Sequence, residues 1–326
     1  MNRRELITLL GGAAIWPLAV RAQQPARMRR IGVLMAASND PVGQAWVAAF
    51  QDGLQKLGWT DGHNVRIDIR WGVGADALGA YATELVGLRP DVIIAGATSA
   101  LAALKQATGT IPIVFSQVSD PVLGGFVASL ARPSGNITGF ALYEYSFAVK
   151  WLELLKQIAP LVTRVAIIYD PSNPANTRQL PEARAAAPSF SMQSSTFAVR
   201  DAIEIERAIG DFASGTNGGL IVLPSPVTEA QRNVIVALAA THRLPAVYPY
   251  RFFAESGGLA SYGVDVPNLY RRAASYVDRI LRGEKPGDVP VQFADKYELV
   301  INLKTAKALG LDPPISLLAR TDEVIE

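Results

Sequence analysis

What most constrains this chain is a repeating alternation. Short runs of continuous apolar and β-branched residues are followed by stretches whose apolar residues recur every three or four positions, and this happens many times over. Residues 30–37 read as a buried strand. Residues 41–57 then place Val42, Trp46, Phe50 and Leu54 on one helical face, with Gly58 as a stop. Strands are expected at 65–71, 91–97, 111–117 and 136–142, and helices at 76–88, 99–107 and 121–131. Strands that are apolar throughout, rather than alternating, must be covered on both faces. With helices between them, that means a parallel, doubly wound sheet.

The pattern then starts again. Helix 145–158 leads to strand 164–170, a helix near 175–187, a weaker strand near 191–199, helix 201–213 and strand 218–224. Helix 226–242, strands 245–250 and 258–263 and helix 266–282 follow, and the C-terminal part reads as strands 289–292 and 297–303, helix 304–309 and a helical tail from Ile315. The fold class is therefore α/β, with two doubly wound parallel-sheet lobes. No Gly/Ser/Pro linker separates them, so the chain is expected to pass between lobes through ordered segments at 140–146, 263–266 and 291–297. Lobe 1 then takes 29–141 and 264–293, and lobe 2 takes 142–263 and 294–326. Several crossings make a multi-strand hinge with a cleft beside it. Ligands of open α/β sheets sit beyond the carboxyl ends of the strands, so the residues to weigh are those just after each strand.

Residues 1–22 read differently. Arg3 and Arg4 precede an apolar run over 6–20, and Val20-Arg21-Ala22 puts small residues where a signal peptidase reads them. This is a secretory leader, and the arginine pair suggests the twin-arginine route to the periplasm. Fifteen residues interrupted by Pro17 and two glycines are short for a membrane span. Cleavage after Ala22 would remove Arg3, Arg4, Arg21 and Glu5, turning the 31 basic and 29 acidic residues of the whole chain into equal numbers. A neutral chain lacks the basic face that nucleic acid requires, so no nucleic-acid partner is expected.

Composition narrows the chemistry further. The chain is 49% hydrophobic and 18% charged, which suits packed cores rather than disorder. It has no cysteine and only two histidines, His63 and His242, which excludes disulfides, thiolate or multi-histidine metal sites and cysteine nucleophiles. Gly72-Val73-Gly74 follows a strand, but the next glycine is Gly79, so the dinucleotide fingerprint fails. No P-loop and no nucleophile elbow is present. Neither histidine is placed as a general base. No catalytic residue, metal or cofactor is expected.

Longer blocks carry a resemblance. RRELITLLGGAA (3–14), SDPVLGGFVASLARPSGNITG (119–139), YDPSNPAN (169–176), GGLASYG (257–263) and LVINLKTAKALGL (299–311) resemble the substrate-binding family of ABC transporters, with the type I periplasmic fold. The resemblance runs over essentially the whole chain. Members include binding proteins for aromatic amino acids. It implies a monomeric periplasmic receptor that closes on a small solute and hands it to an inner-membrane permease. A periplasmic sensory module for a membrane receptor would use the same fold, and a secreted α/β enzyme working through carboxylates such as Asp120 and Asp170 is the weaker alternative.

The post-strand positions give the candidate site. Ser38 follows the first strand, where it either meets a ligand or caps the next helix. Thr98 and Ser99 open a helix, whose free N–H groups suit a carboxylate. Asp120 and Asp265 each precede a Val/Pro helix start. They are either caps or partners for a ligand ammonium, and Asp265 is preferred because it lies at a crossing. Tyr169 leads into a Pro/Asn turn containing Ser172 and Asn173, and Ser225 lies between two prolines. Tyr169, Tyr248, Tyr250 and Tyr262 are expected at strand ends, where they would stack on an aromatic ligand, and Tyr143, at the first crossing, is expected to belong with them.

Overall fold

The structure, a computed structural model, describes residues 28–142 and 147–326. The expected leader and Tyr143 lie outside the described residues. One sheet contains β1 (Arg29–Met35), β2 (Val65–Trp71), β3 (Val92–Gly96), β4 (Ile113–Val118) and β5 (Ile137–Ala141). The other contains β6 (Arg164–Tyr169), β7 (Gln193–Ala198), β8 (Gly218–Val222), β9 (Ala246–Tyr248) and β10 (Ala260–Val264). The spatial orders are β2-β1-β3-β4-β5 and β7-β6-β8-β9-β10, the same winding twice. Residues 292–293 form a short β11 (Gln292–Phe293) parallel to β5, so a late segment returns to the first sheet. β12 (Tyr297–Asn302) then joins the second sheet antiparallel to β10, and β13 (Glu323–Ile325) closes that edge.

The apolar runs are continuous because both faces are covered. All five residues of β3 and of β8 are buried, whereas edge strand β7 has none buried. Helices α1 (Pro41–Lys56), α2 (Ala75–Gly87) and α3 (Thr98–Ala107) cover the first sheet. α4 (Phe147–Ile158), α5 (Pro174–Ala186), α6 (Ala202–Ala213), α7 (Pro226–Ala230), α8 (Arg232–Thr241) and α9 (Arg251–Glu255) serve the second. α10 (Val266–Leu281) follows β10 of the second sheet but packs against α1 of the first. It buries Leu269, Tyr270, Ala273, Tyr276, Val277 and Ile280 along one stripe, the spacing an amphipathic helix needs. α11 (Leu303–Leu309) and α12 (Ile315–Leu318) complete the chain.

The chain leaves the first sheet after Ala141, returns from the second after Val264, and leaves again between Phe293 and Tyr297. These passages bond to one another. Ala294 N–H donates to Ala141 O at 3.0 Å, Asp265 N–H to Lys296 O at 3.1 Å, and Tyr297 hydroxyl to Leu142 O at 3.5 Å.

Several local expectations change. Residues 121–131 form turns and no helix. The Gly124-Gly125 pair stops propagation, with Gly125 at φ 67°. The expected helix 226–242 breaks at Gln231, whose ψ of 15° ends α7 before α8 begins. α9 was not anticipated, and the tail after Ile315 makes one helical turn and then strand β13. β10 extends to Val264 rather than stopping at Gly263, which places Tyr262 in mid-strand.

Gly263 is required by space. A Cβ there would stand 1.7 Å from Pro249 O, a backbone atom that cannot swing aside. Gly263→Ala is expected to cost about 1–3 kcal/mol by overpacking, lowering the thermal midpoint by several degrees; an unchanged melting curve would contradict this packing.

Candidate functional site

In a doubly wound sheet the chain order reverses beside the first strand, and the loops diverge there to leave a crevice. The two switch points here lie between β1 and β3 and between β6 and β8. They contribute to opposite walls of one cavity of about 330 Å³, within the range of about 300–1,000 Å³ usual for small ligands.

The first-sheet wall contains Val73, Gly74 and Leu78 at the start of α2, Ala97, Thr98 and Ser99 at the start of α3, and Gln117, Ser119, Phe126 and Leu142. The second-sheet wall contains Asp170, Ser172 and Asn173 after β6, Pro224, Ser225, Val227 and Glu229 after β8, and Tyr250 after β9. Apolar groups (Val73, Leu78, Phe126, Leu142, Val227) and the ring of Tyr250 thus share the space with hydroxyls, amides and two acids.

Both first-wall helices open onto this space without a side-chain cap. Gly74 at φ 94° and Ala97 at φ 80°, ψ 163° occupy the cap positions. The second is a conformation nearly confined to glycine, a strain that costs of order 1–3 kcal/mol and is characteristic of functional sites. Uncapped N–H groups at a helix start carry partial positive charge and suit an anion. Thr98 Oγ1 accepts a long 3.4 Å bond from Ser119 N–H.

Gln117 reaches the cavity through an irregularity in β4. The register against β5 shifts between Phe115 and Val118, and Gln117 has φ 58°. Its Oε1 accepts from the Tyr270 hydroxyl at 3.0 Å. Burial, with Glu229 adding to it, holds that phenol well above its usual range.

On the second wall, Asp170 is 3% exposed. Its Oδ1 accepts from Ser172 N–H at 2.8 Å and from Ser172 hydroxyl at 2.6 Å. Asn173 caps α5 and donates to Pro224 O at 3.1 Å. Ser225 caps α7 in a capping box with Thr228. The structure therefore brings Thr98, Ser99, Ser172, Asn173 and Ser225 together.

The other candidates lie elsewhere. Ser38 lines a smaller gap between the lobes with Asp40, Trp46, Arg232 and Phe252. Asp120 is outside the cavity lining, and its Oδ1 accepts from Leu123 N–H at 2.9 Å. Asp265 is also outside it: Oδ1 caps α10 through Asn268 N–H at 3.0 Å, and Oδ2 pairs with Lys296 at 2.7 Å. That carboxylate is committed to the hinge, and the expected ammonium role does not fit this geometry. Tyr169 packs into the core beneath α4. Tyr248 is 1% exposed and stacks on Phe253 at 4.9 Å. Tyr262 is outside the cavity lining and stacks on Phe147 at 5.4 Å. Tyr250, two residues beyond β9, is the one of these four in the cavity lining.

Glu229 gave no signal in a sequence where 226–242 read as one helix. It lies in α7, ahead of the break at Gln231. It lies between the cavity and the smaller gap and lines both. Burial pushes its carboxyl up to about 8, with Arg232 opposing and Asp40 reinforcing the shift. Arg232 is bonded to Asp40 across the cleft at 2.9 Å.

Among the described residues, no cluster of three or more His, Asp or Glu is arranged to hold a metal ion, and no helix is long and apolar enough to cross a membrane.

Facing switch points around one small cavity define a two-lobed solute-binding protein. The chain belongs to the ABC transporter substrate-binding protein family, whose model matches residues 30–325. Over 286 residues it is 27% identical to a tyrosine-binding protein of Clostridioides difficile, covering 87% of this chain and 82% of that one. A conserved domain protein of Vibrio cholerae is similar in structure, with a TM-score of 0.85 and 28% identity, covering 91% of this chain and all of the other. An ABC domain from Streptococcus pneumoniae in complex with L-Trp gives the same TM-score and identity, covering 91% and 99%.

The Glu229 carboxyl has a testable consequence for stability. A carboxyl that titrates near 4.5 when unfolded and near 8 when folded lets the native state hold the extra proton between those values. Its contribution is present below pH 4.5 and is lost as pH rises through about 8. The denaturant midpoint of the ligand-free protein is expected to decline across pH 5–8.5, and Glu229→Gln to flatten that decline. A wild-type profile matched by the variant at every pH would refute it.

Proposed function

We propose that the protein is the periplasmic binding component of an ABC uptake system and that it carries an aromatic amino acid to its permease. The observation that carries this reading is the composition of the cavity: an uncapped helix start bearing Thr98 and Ser99 faces a wall of Val227, Tyr250 and paired polar groups, with Phe126 and Leu142 beside it. The helix start suits the α-carboxylate, and the aromatic and aliphatic groups suit a ring. The relatives named for tyrosine and L-Trp support the same ligand class.

Under this reading the two lobes close on the ligand about the crossings near 142, 265 and 294–296. A ligand touching both walls favours the closed arrangement by its differential affinity. It is released unchanged, in keeping with a chain of the substrate-binding protein family. The protein acts as a monomer, with the permease as its partner. Lobe 1 comprises 29–141 and 264–293, and lobe 2 comprises 142–263 and 294–326.

L-Tryptophan or L-tyrosine is expected to raise the melting temperature, since each binds only the folded chain. Replacing both Thr98 and Ser99 by alanine should weaken binding about tenfold or more, as a charge-assisted hydrogen bond contributes about 1.5–3 kcal/mol. No thermal shift with any amino acid in calorimetric or fluorimetric titration would remove the ligand assignment.

Export gives an independent test. The mature protein recovered from the periplasm is expected to begin at Gln23, following Val20-Arg21-Ala22. N-terminal sequencing that returns Met1 from the mature protein would contradict it.

A further inference from the structure

We propose that Glu229 is the anchor for a protonated amine of the ligand. The proposal rests on the amino-acid reading of the same cavity. An ammonium moved from water into a partly apolar cavity must be met by a carboxylate, or its desolvation goes uncompensated. Among the described residues the cavity wall holds two acids, Asp170 and Glu229. One oxygen of Asp170 is taken in its own turn, where Oδ1 holds both the N–H and the hydroxyl of Ser172. The Glu229 carboxyl makes no hydrogen bond or ion pair with any described residue; Arg232 donates instead to the Glu229 backbone carbonyl at 3.2 Å.

The neighbouring cation does not neutralise it. Arg232 gives its guanidinium to Asp40, at 2.9 Å. Asp40 is itself fixed, since its other oxygen caps α1 through Gly43 N–H at 2.9 Å. The groups acting on Glu229 are thus Arg232 from α8, Asp40 from the start of α1 and Tyr270 from α10, with Asp170 on the same wall. Thr98 and Ser99 belong to the first-sheet wall and Glu229 to the second. A zwitterion held between them touches both lobes at once.

The carboxyl's elevated range, near 8, gives the proposal its own signature. In the free protein at neutral pH Glu229 carries a proton. When an ammonium arrives, the O–H bond of the carboxyl breaks, the carboxylate pairs with the ammonium, and the proton passes to solvent. Binding then releases up to one proton below pH 8, and affinity rises by up to about tenfold per pH unit until that range is reached.

The test is titration calorimetry of the protein with L-tryptophan and with indole-3-propionate, which lacks the amine, between pH 6 and 8.5. Two buffers of different ionisation enthalpy count the protons. Wild type is expected to release close to one proton at pH 6.5 and only about a quarter of one at pH 8.5, and to bind the des-amino analogue at least tenfold more weakly. Glu229→Gln, which removes a half-buried acid and is expected to fold, should lose both the proton release and the discrimination, while Asp170→Asn, whatever its own affinity, still releases the proton and still prefers L-tryptophan to the des-amino analogue. Wild type that binds L-tryptophan without releasing a proton, or a Glu229→Gln protein that still discriminates, would overturn the anchor alone. Loss of discrimination in Asp170→Asn instead of Glu229→Gln would transfer the role to Asp170. Wild type that binds neither L-tryptophan nor L-tyrosine would overturn the aromatic amino-acid reading, and the anchor with it.

Discussion

The parallel pairing of β1 with β3, and of β6 with β8, is the constraint on which the rest depends. Parallel neighbours cannot be joined by a tight turn, so each connection crosses the sheet as a helix and re-enters from the other end. All the loops that follow strands therefore gather at one edge. Where the winding reverses, two such loops part and leave a crevice. With the two sheets sharing one winding and facing each other, Thr98 and Ser99 come to lie across the cavity from Asn173 and Ser225. None of these residues needs an unusual environment to arrive there; the strand register delivers them.

Charge is handled differently at the hinge and in the cleft. Asp265 and Lys296 pair at the crossing, where Lys296 is 58% exposed, and solvent screens most of the attraction. Asp40 and Arg232 pair across the lobes with side chains 26% and 16% exposed. Beside that pair Glu229 is left without a counter-ion of its own, and burial keeps it protonated into the neutral range. A neutral acid inside a cleft is tolerated without a partner and becomes a strong one once ionised, which suits a group that meets charge only when a ligand arrives.

The strands were legible because burial on both faces removes polar alternation. VIIAG and GGLIV could hardly be anything else, and their ends were found to within a residue or two. The same accuracy was too coarse for the tyrosines. Successive strand residues point to opposite faces, so strand bounds alone do not say which side a tyrosine takes, and Tyr262 lies within β10 on the side that meets Phe147. Tyr248 and Tyr250 differ by two positions, yet one is sealed against Phe253 and the other lines the cavity, because β9 ends between them. Gln117 and Glu229 were beyond reach for another reason. Gln117 sits at a register shift in β4, and Glu229 lies in a five-residue helix that ends at Gln231; no residue pattern announces either feature.

The sequence by itself determined the two α/β units, the order of their elements, the post-strand loops as the place to look and the hydroxyl-bearing helix start at Thr98. These follow from period, apolar runs and capping chemistry, which act over a few residues at a time. Only the tertiary structure decided which acid faces the cavity. Asp265 and Glu229 are both acids at or near helix starts. One is tied to Lys296, a residue 31 positions away, and the other loses Arg232 to Asp40, nearly two hundred positions away. Whether a carboxylate is satisfied depends on which cation the fold brings beside it and how much water remains, and both are set by long-range packing rather than by neighbours in the chain.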